Sequence, residues 1–157
     1  ADAALIRKME GAEITMERLE HVTRALQTSR HKHQVFSAFL GETAREDLIP
    51  YTADFFLQLE DVKWTMISGI VNGMFIMSVR NLGYTRNAGE FVKANFGDIG
   101  SAGGHRAMAK AVVPLRAFLD KFGMADTTHV TARLQELVAQ FLHEAGTAEK
   151  RREPVRS

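Results

Sequence analysis

The chain has 157 residues, with 20 Lys and Arg against 19 Asp and Glu, a formal charge of +1 and no cysteine. The length fits one domain that buries roughly two thirds of the surface its unfolded form exposes. Without cysteine there is no disulfide framework, thiolate zinc site or cysteine nucleophile, which fits a reducing cytoplasm; a charge near zero excludes a molecule-wide field for nucleic acid or anionic lipid, so any anion site is local.

The opening ADAALIRKME places its charges after a short apolar run and is unlike a signal peptide; Leu5, Ile6 and Met9 predict a short helix. A second helix follows over 15–28, capped by Thr15, with Met16, Leu19, Val22 and Leu26 at helical spacing and Ile14 set to staple onto Leu19. The basic break SRHKH (29–33) reads as a solvated joint, not a His31-x-His33 metal site, since no carboxylate stands close by. QVFSAFLG then alternates as a mostly buried strand. After Pro50, a short helix is expected, with Thr52 as its cap and Phe55, Phe56 and Leu59 turned inward.

KWTMISGIV, Asn72-Gly73 and MFIMSVR form the clearest local signal, because Asn-Gly suits the two positive φ angles of a two-residue hairpin turn. Counting outward from Val71 facing Met74 puts Ile70 opposite Phe75, Met66 opposite Val79 and Thr65 opposite Arg80. One face, with Trp64, Met66, Ile70, Phe75, Met77 and Val79, is core. The other begins apolar at Val71, Met74, Ile76 and Ile67 and ends polar at Ser78, Thr65 and Arg80, a wet end to the hairpin. The run MISGIVNGMFIMSV is too short and too strand-like for a membrane span.

TRNAGEFVKANFG predicts a helix that Asn87 and Glu90 cap and Gly97 closes. Glycines 100, 103 and 104 with Ser101 follow, then His105 and Arg106. Small residues let successive backbone N–H groups converge on one oxygen-rich ligand, and the histidine and arginine supply charge, so the segment reads as an anion loop. Ser78 and Arg80 complete it if the 87–96 helix returns the chain to their side of the sheet. The loop matches neither the Lys-Ser/Thr phosphate loop nor the dinucleotide fingerprint. AKAVVPL then reads as a strand, RAFLDKF as a helix ended by Gly123, and Thr127 to about Glu144 as a last helix with Val130, Leu134, Leu137, Val138, Phe141 and Leu142 inward. The whole is α+β (mixed α/β), a sheet of about four to five strands with its hairpin at 63–80, flanked by helices.

SVRN, NAGEFVKANFG and GSAGGHRAMAKAVVP together resemble the DHH-associated domain of the DHH phosphoesterase superfamily, whose mark is a Gly-Gly-Gly-His sequence closing with small residues and a strand. The likeness runs from Gln34 to Leu115. It implies a domain that binds the phosphate and sugar of a substrate, while a preceding DHH domain holds manganese and performs the hydrolysis. Carried over, Gly103, Gly104 and His105 are the core of the signature, with Ser78, Arg80, Ser101 and Arg106 beside them. Ala102 replaces the first glycine of the triplet and Lys110 the last glycine of the small-residue run.

The seven aspartates are scattered, with no Asp-His-His and no Asp-x-Asp, so catalytic and metal-binding residues are not expected in this chain. The resemblance implies a plan of a helical lead-in (1–33) from a missing upstream domain, a binding domain (34–145) and a disordered charged tail (146–157). Expected partners are that DHH domain and a phosphate-bearing nucleotide or short oligonucleotide, with no membrane and with homodimerisation open. Alternatives are a nucleic-acid module like the C-terminal domain of alanyl-tRNA synthetases, or a non-catalytic dimerisation or regulatory domain.

Overall fold

The computed structural model describes residues 14–83 and 86–152, with side chains as far as Glu144. Among these residues the chain runs α1 (Met16–Thr28), β1 (Arg30–Lys32), β2 (Val35–Glu42), α2 (Leu48–Phe56), β3 (Trp64–Val71), β4 (Met74–Asn81), α3 (Ala88–Phe96), β5 (Ser101–Gly104), β6 (Met108–Pro114), α4 (Leu115–Phe122) and α5 (Thr127–Arg152). The strands form one mixed sheet in the order β1-β2-β3-β4-β6-β5. The class is the α+β layout expected, but with six strands.

The two strands beyond those read from sequence have identifiable causes. His33 and Gln34 adopt φ of 52° and 69°, a two-residue turn without glycine, and fold the basic joint back as β1 against β2. Asparagine is the usual non-glycine residue in that conformation, so a His-Gln pair gives no warning of it. The glycine-rich stretch supplies the other, pairing antiparallel with β6 as the edge strand β5.

The β3–β4 hairpin forms in the register that Asn72-Gly73 sets: φ is 49° and 75°, Val71 pairs with Met74, and Thr65 pairs with Arg80. Its two faces then anchor two cores. On one side α3, α4 and α5 pack over Trp64, Met66, Phe75, Met77 and Val79, where Phe75 stacks on Phe118 with ring centroids 4.1 Å apart. On the other, α1 and α2 pack over Phe36, Ile67, Val71 and Ile76, and Phe36 stacks on Phe56 at 4.1 Å. Parallel pairing of β2 with β3 requires the crossover that α2 provides.

Helix details depart from the sequence reading. Thr15 caps α1 by accepting from the Arg18 amide, yet the buried face is His21, Val22 and Ala25, and Met16 and Leu26 are 72% and 60% exposed. Large apolar residues mark the wrong face here because small Ala25 allows the close approach to β2. In α2 the helix starts ahead of Pro50, which sits in the first turn, where its missing N–H costs no hydrogen bond. Thr52 is therefore mid-helix, its hydroxyl donating to the Leu48 carbonyl, and Leu59 is exposed. Gly97 ends α3 with φ −64°, not a left-handed cap.

The segment 14–33 shares the core and the sheet of the residues that follow, so it is no mere lead-in; the helix predicted around Leu5 lies outside the described residues. α5 continues beyond Glu144 into the charged stretch read as a tail. At its start the Asp126 carboxylate accepts from the His129 amide and ring, which holds its pKa below the ordinary value. No helix among the described residues is long and apolar enough to cross a membrane.

Phe75 is fully buried at the crowded centre of the larger core. Phe75→Ala is expected to cost about 3–5 kcal/mol, read as a lowered midpoint in urea denaturation with the slope unchanged.

Candidate functional site

Strand adjacency assembles the site. Paired residues share a sheet face, so three rows cross β4, β6 and β5: Ile76, Val112 and Ser101; Ser78, Lys110 and Gly103; Arg80, Met108 and, at the start of the turn, His105. α1 and α2 cover this face over β2, β3 and β4 and stop there. Beside α2 a cleft of about 250 Å3 remains, lined by Ser78, Arg80, Gly103, Gly104, Met108 and Lys110. A hollow of about 300 Å3 continues past Ser78 and Lys110 to Glu46, Asp47 and Pro50.

The cleft holds two cations of different standing. Arg80 is 9% exposed; its Nε donates to Asp54 Oδ1 on α2 at 2.7 Å and its Nη1 to the Val79 carbonyl at 3.1 Å. The polar end of the hairpin is thus covered rather than wet, and Thr65 beside it donates to the Ala53 carbonyl. Lys110 reaches across to Glu46, in the loop before α2, with both side chains about half exposed (51% and 47%). A pair so open to water contributes about 0–1 kcal/mol, whereas removing the carboxylate from a buried guanidinium leaves an uncompensated charge.

Among the described residues the Ser78 hydroxyl and the exposed His105 ring have no hydrogen-bond partner. The groups whose pKa is displaced, Asp98 beside Lys121 and Asp126 beside His129, both lowered, lie outside the cleft.

Several expectations change with this geometry. The glycine-rich amides do not converge on a ligand: the His105 N–H donates to the Met108 carbonyl at 2.9 Å, and ladder alternation turns the Gly103 and Ser101 amides toward β6 as well. An extended strand keeps its N–H groups in the plane of the sheet. Nor does α3 bring the chain to the side of Ser78 and Arg80, for it packs on the opposite face. The α3 amides of Ala88 and Gly89 donate to the carbonyls of Arg106 and His105, so turn carbonyls occupy that helix N-terminus. Arg106 lies in the turn and does not line the cleft.

The two glycines of the signature have separate roles. Gly104 has φ 149°, and a Cβ there would stand 2.3 Å from the Met108 carbonyl oxygen; Gly103 faces open space on the cleft side. Ala102 takes no positive φ and packs against the larger core, so alanine fits where a third glycine was expected. Lys110 lines the cleft.

The carboxylates paired with Arg80 and Lys110, Asp54 and Glu46, escaped the sequence reading, since both arrive through the β2-α2-β3 crossover. A buried arginine at the end of a core hairpin demands an acidic partner, and that demand was the available signal. His31 and His33 sit on and beside the exposed edge strand β1, and no three His, Asp or Glu side chains among the described residues are placed to hold a metal ion.

No protein-family model matches the chain. Over 118 residues it is 33% identical to an uncharacterized protein of Methanocaldococcus jannaschii, a match covering 74% of this chain and 24% of that protein. The chain thus spans about a quarter of the relative's length. Among solved structures, an exopolyphosphatase-related protein from Bacteroides fragilis superposes with a TM-score of 0.59 at 14% identity, over 78% of this chain and 39% of that one. The C-Ala domain of Aquifex aeolicus alanyl-tRNA synthetase superposes with a TM-score of 0.50 at 16% identity, over 69% of this chain and 96% of that domain. At these identities the likeness is one of fold.

The glycine pair provides a direct check of the geometry. Gly104→Ala is expected to destabilise by about 2–3 kcal/mol or more, through a strained φ and a clash with β6, while Gly103→Ala stays within about 1 kcal/mol of the native chain in thermal denaturation.

Proposed function

We propose that this chain is a DHH-associated domain, the part of a phosphoesterase that holds the phosphate and sugar of a nucleotide or short oligonucleotide. The observation that carries the reading is the gathering of Ser78, Arg80, Gly103 and Lys110 around one cleft, with Ser101 and His105 on the same face. A guanidinium, an ammonium, a hydroxyl and an imidazole suit an anion rich in oxygen, and the bare Gly103 lets it approach the sheet. The shared fold with an exopolyphosphatase-related protein supports the same class. Catalysis in this reading belongs to a separate DHH domain, where manganese would activate water; this chain contributes positioning and charge neutralisation. Site residues in this reading are Ser78, Arg80, Ser101, Gly103, His105 and Lys110, with Gly104 shaping the turn; Arg106 lies in that turn, outside the cleft.

The expected result is that 5′-AMP shifts the amide resonances of Ser78, Arg80 and residues 101–105 in a heteronuclear spectrum. Arg80→Gln, with the fold retained by circular dichroism, weakens that binding about ten-fold or more. Shifts confined to other regions overturn the reading.

A second reading has its own observation. Arg30, Lys32 and His33 on the β1 edge make no ion pair among the described residues, and they border a 520 Å3 hollow floored by Val35, Val138 and Leu142. Basic groups beside an apolar floor suit a nucleic-acid strand, and the shared fold with the C-Ala domain is consistent with it. In that case affinity for a single-stranded RNA falls steeply with salt, and Arg30→Gln with Lys32→Gln lowers the slope by about 1–2. A salt-independent affinity excludes it.

A further inference from the structure

The two ion pairs of the cleft differ in what they do to an incoming anion. Arg80 is held on two sides, by Asp54 through Nε and by the Val79 carbonyl through Nη1, and its side chain is only 11% exposed against 58% for Asp54. Its carboxylate fixes the direction in which the guanidinium faces. Lys110 lies between Ser78 and Gly103 in one row of the sheet, and its ammonium is bonded to Glu46 from the far wall. Glu46 belongs to no helix or strand; its backbone carbonyl accepts from the Ile49 amide, and its carboxylate has no other polar contact among the described residues. The neighbouring Asp47 lines the same hollow but is paired with Arg45.

We propose that Glu46 is a built-in competitor for the ligand: its carboxylate occupies the place on Lys110 that a phosphate oxygen takes on binding. The proposal rests on the reading of the cleft as a phosphate site and adds to it a threshold for binding. A monoanion offers Lys110 no more charge than the carboxylate it must displace. A terminal phosphate, which carries close to two charges at neutral pH, offers more. Displacing Glu46 costs every ligand the same and weakens all of them by one factor; a terminal phosphate, with more charge to offer Lys110, clears that threshold at a lower concentration than an internal phosphodiester, while Asp54 acts as a positioning residue for Arg80 and is not displaced.

The test titrates the full chain with 5′-AMP, a dianion, and with 3′,5′-cyclic AMP, a monoanion, at low salt. Glu46→Gln is expected to tighten both by about three- to five-fold. In a Lys110→Gln background the same substitution changes nothing, which locates the competition on that ammonium. Asp54→Asn moves affinity the other way, weakening it as Arg80 loses its orientation. Glu46 is half exposed, so Glu46→Gln keeps the native melting temperature; Asp54→Asn leaves the buried guanidinium without its counter-ion and lowers it, so that variant's affinity is read well below its own midpoint.

If the native chain binds and Glu46→Gln leaves both affinities unchanged or weaker, or if its gain persists without Lys110, the competition is overturned and the phosphate site stands. If neither the native chain nor any variant responds at Ser78, Gly103 and Lys110, both fall together.

Discussion

Everything at the cleft depends on the register of one hairpin. Asn72 and Gly73 permit a two-residue turn, and that turn fixes which side chains of β3 and β4 face each core. A slip of one residue would send Ser78 and Arg80 into the aromatic core around Phe75 and bring Met77 and Val79 to the cleft. Phe75, Met77 and Val79 are each fully buried, and the cost of exposing them locks the register far more firmly than the turn alone does. The cleft face is thus enforced from behind, by the packing of the other face.

The second constraint is incomplete coverage. Helices cover the whole of one sheet face, but on the other only α1 and α2 are present, and they leave β6 and β5 uncovered. Sheet edges left open invite pairing with other chains, yet β5 has four residues, is rich in glycine and ends in the turn that α3 clamps through its first two amides. Asn81 strengthens that clamp by donating to the carbonyls of Arg86 and Arg106. A short, pinned edge carries its part of the cleft without becoming an aggregation template.

Legibility in the sequence followed the range of the interactions. The hairpin, the Asn87 cap, the Thr15 cap and the inward row of α5 depend on neighbours within a turn or two, and the residues themselves announced them. The turn at His33-Gln34 was hidden because neither residue is a usual occupant of positive φ. The glycine-rich segment was recognised as a place of close approach but assigned the wrong partner: Gly104 lies against the backbone of β6, and a Cβ at Gly89 would press on the Gly104 carbonyl. Composition records that two chains must come close without saying which two. The carboxylates opposite Arg80 and Lys110 were illegible for a related reason, since only the parallel crossover brings them within reach.

With the His105, Gly103 and Ser101 amides turned to β6, the groups this cleft offers an anion are side chains. Backbone N–H groups present fixed partial charges to any oxyanion, whereas an arginine fork held by Asp54 and an ammonium held loosely by Glu46 respond to the ligand's charge and geometry. Net charge is nearly zero over the chain, so long-range attraction would supply little affinity for an anion, and the proposed binding rests on short-range contacts in the cleft. A fold shared between an exopolyphosphatase-related protein and a synthetase domain cannot by itself assign a ligand. In this chain Lys110 stands in the cleft with an acid placed directly against it. A cation added together with its own counter-ion gains little for fold stability at half exposure. Under the competition proposed above, the consequence is for binding: a ligand must outcompete the carboxylate for Lys110.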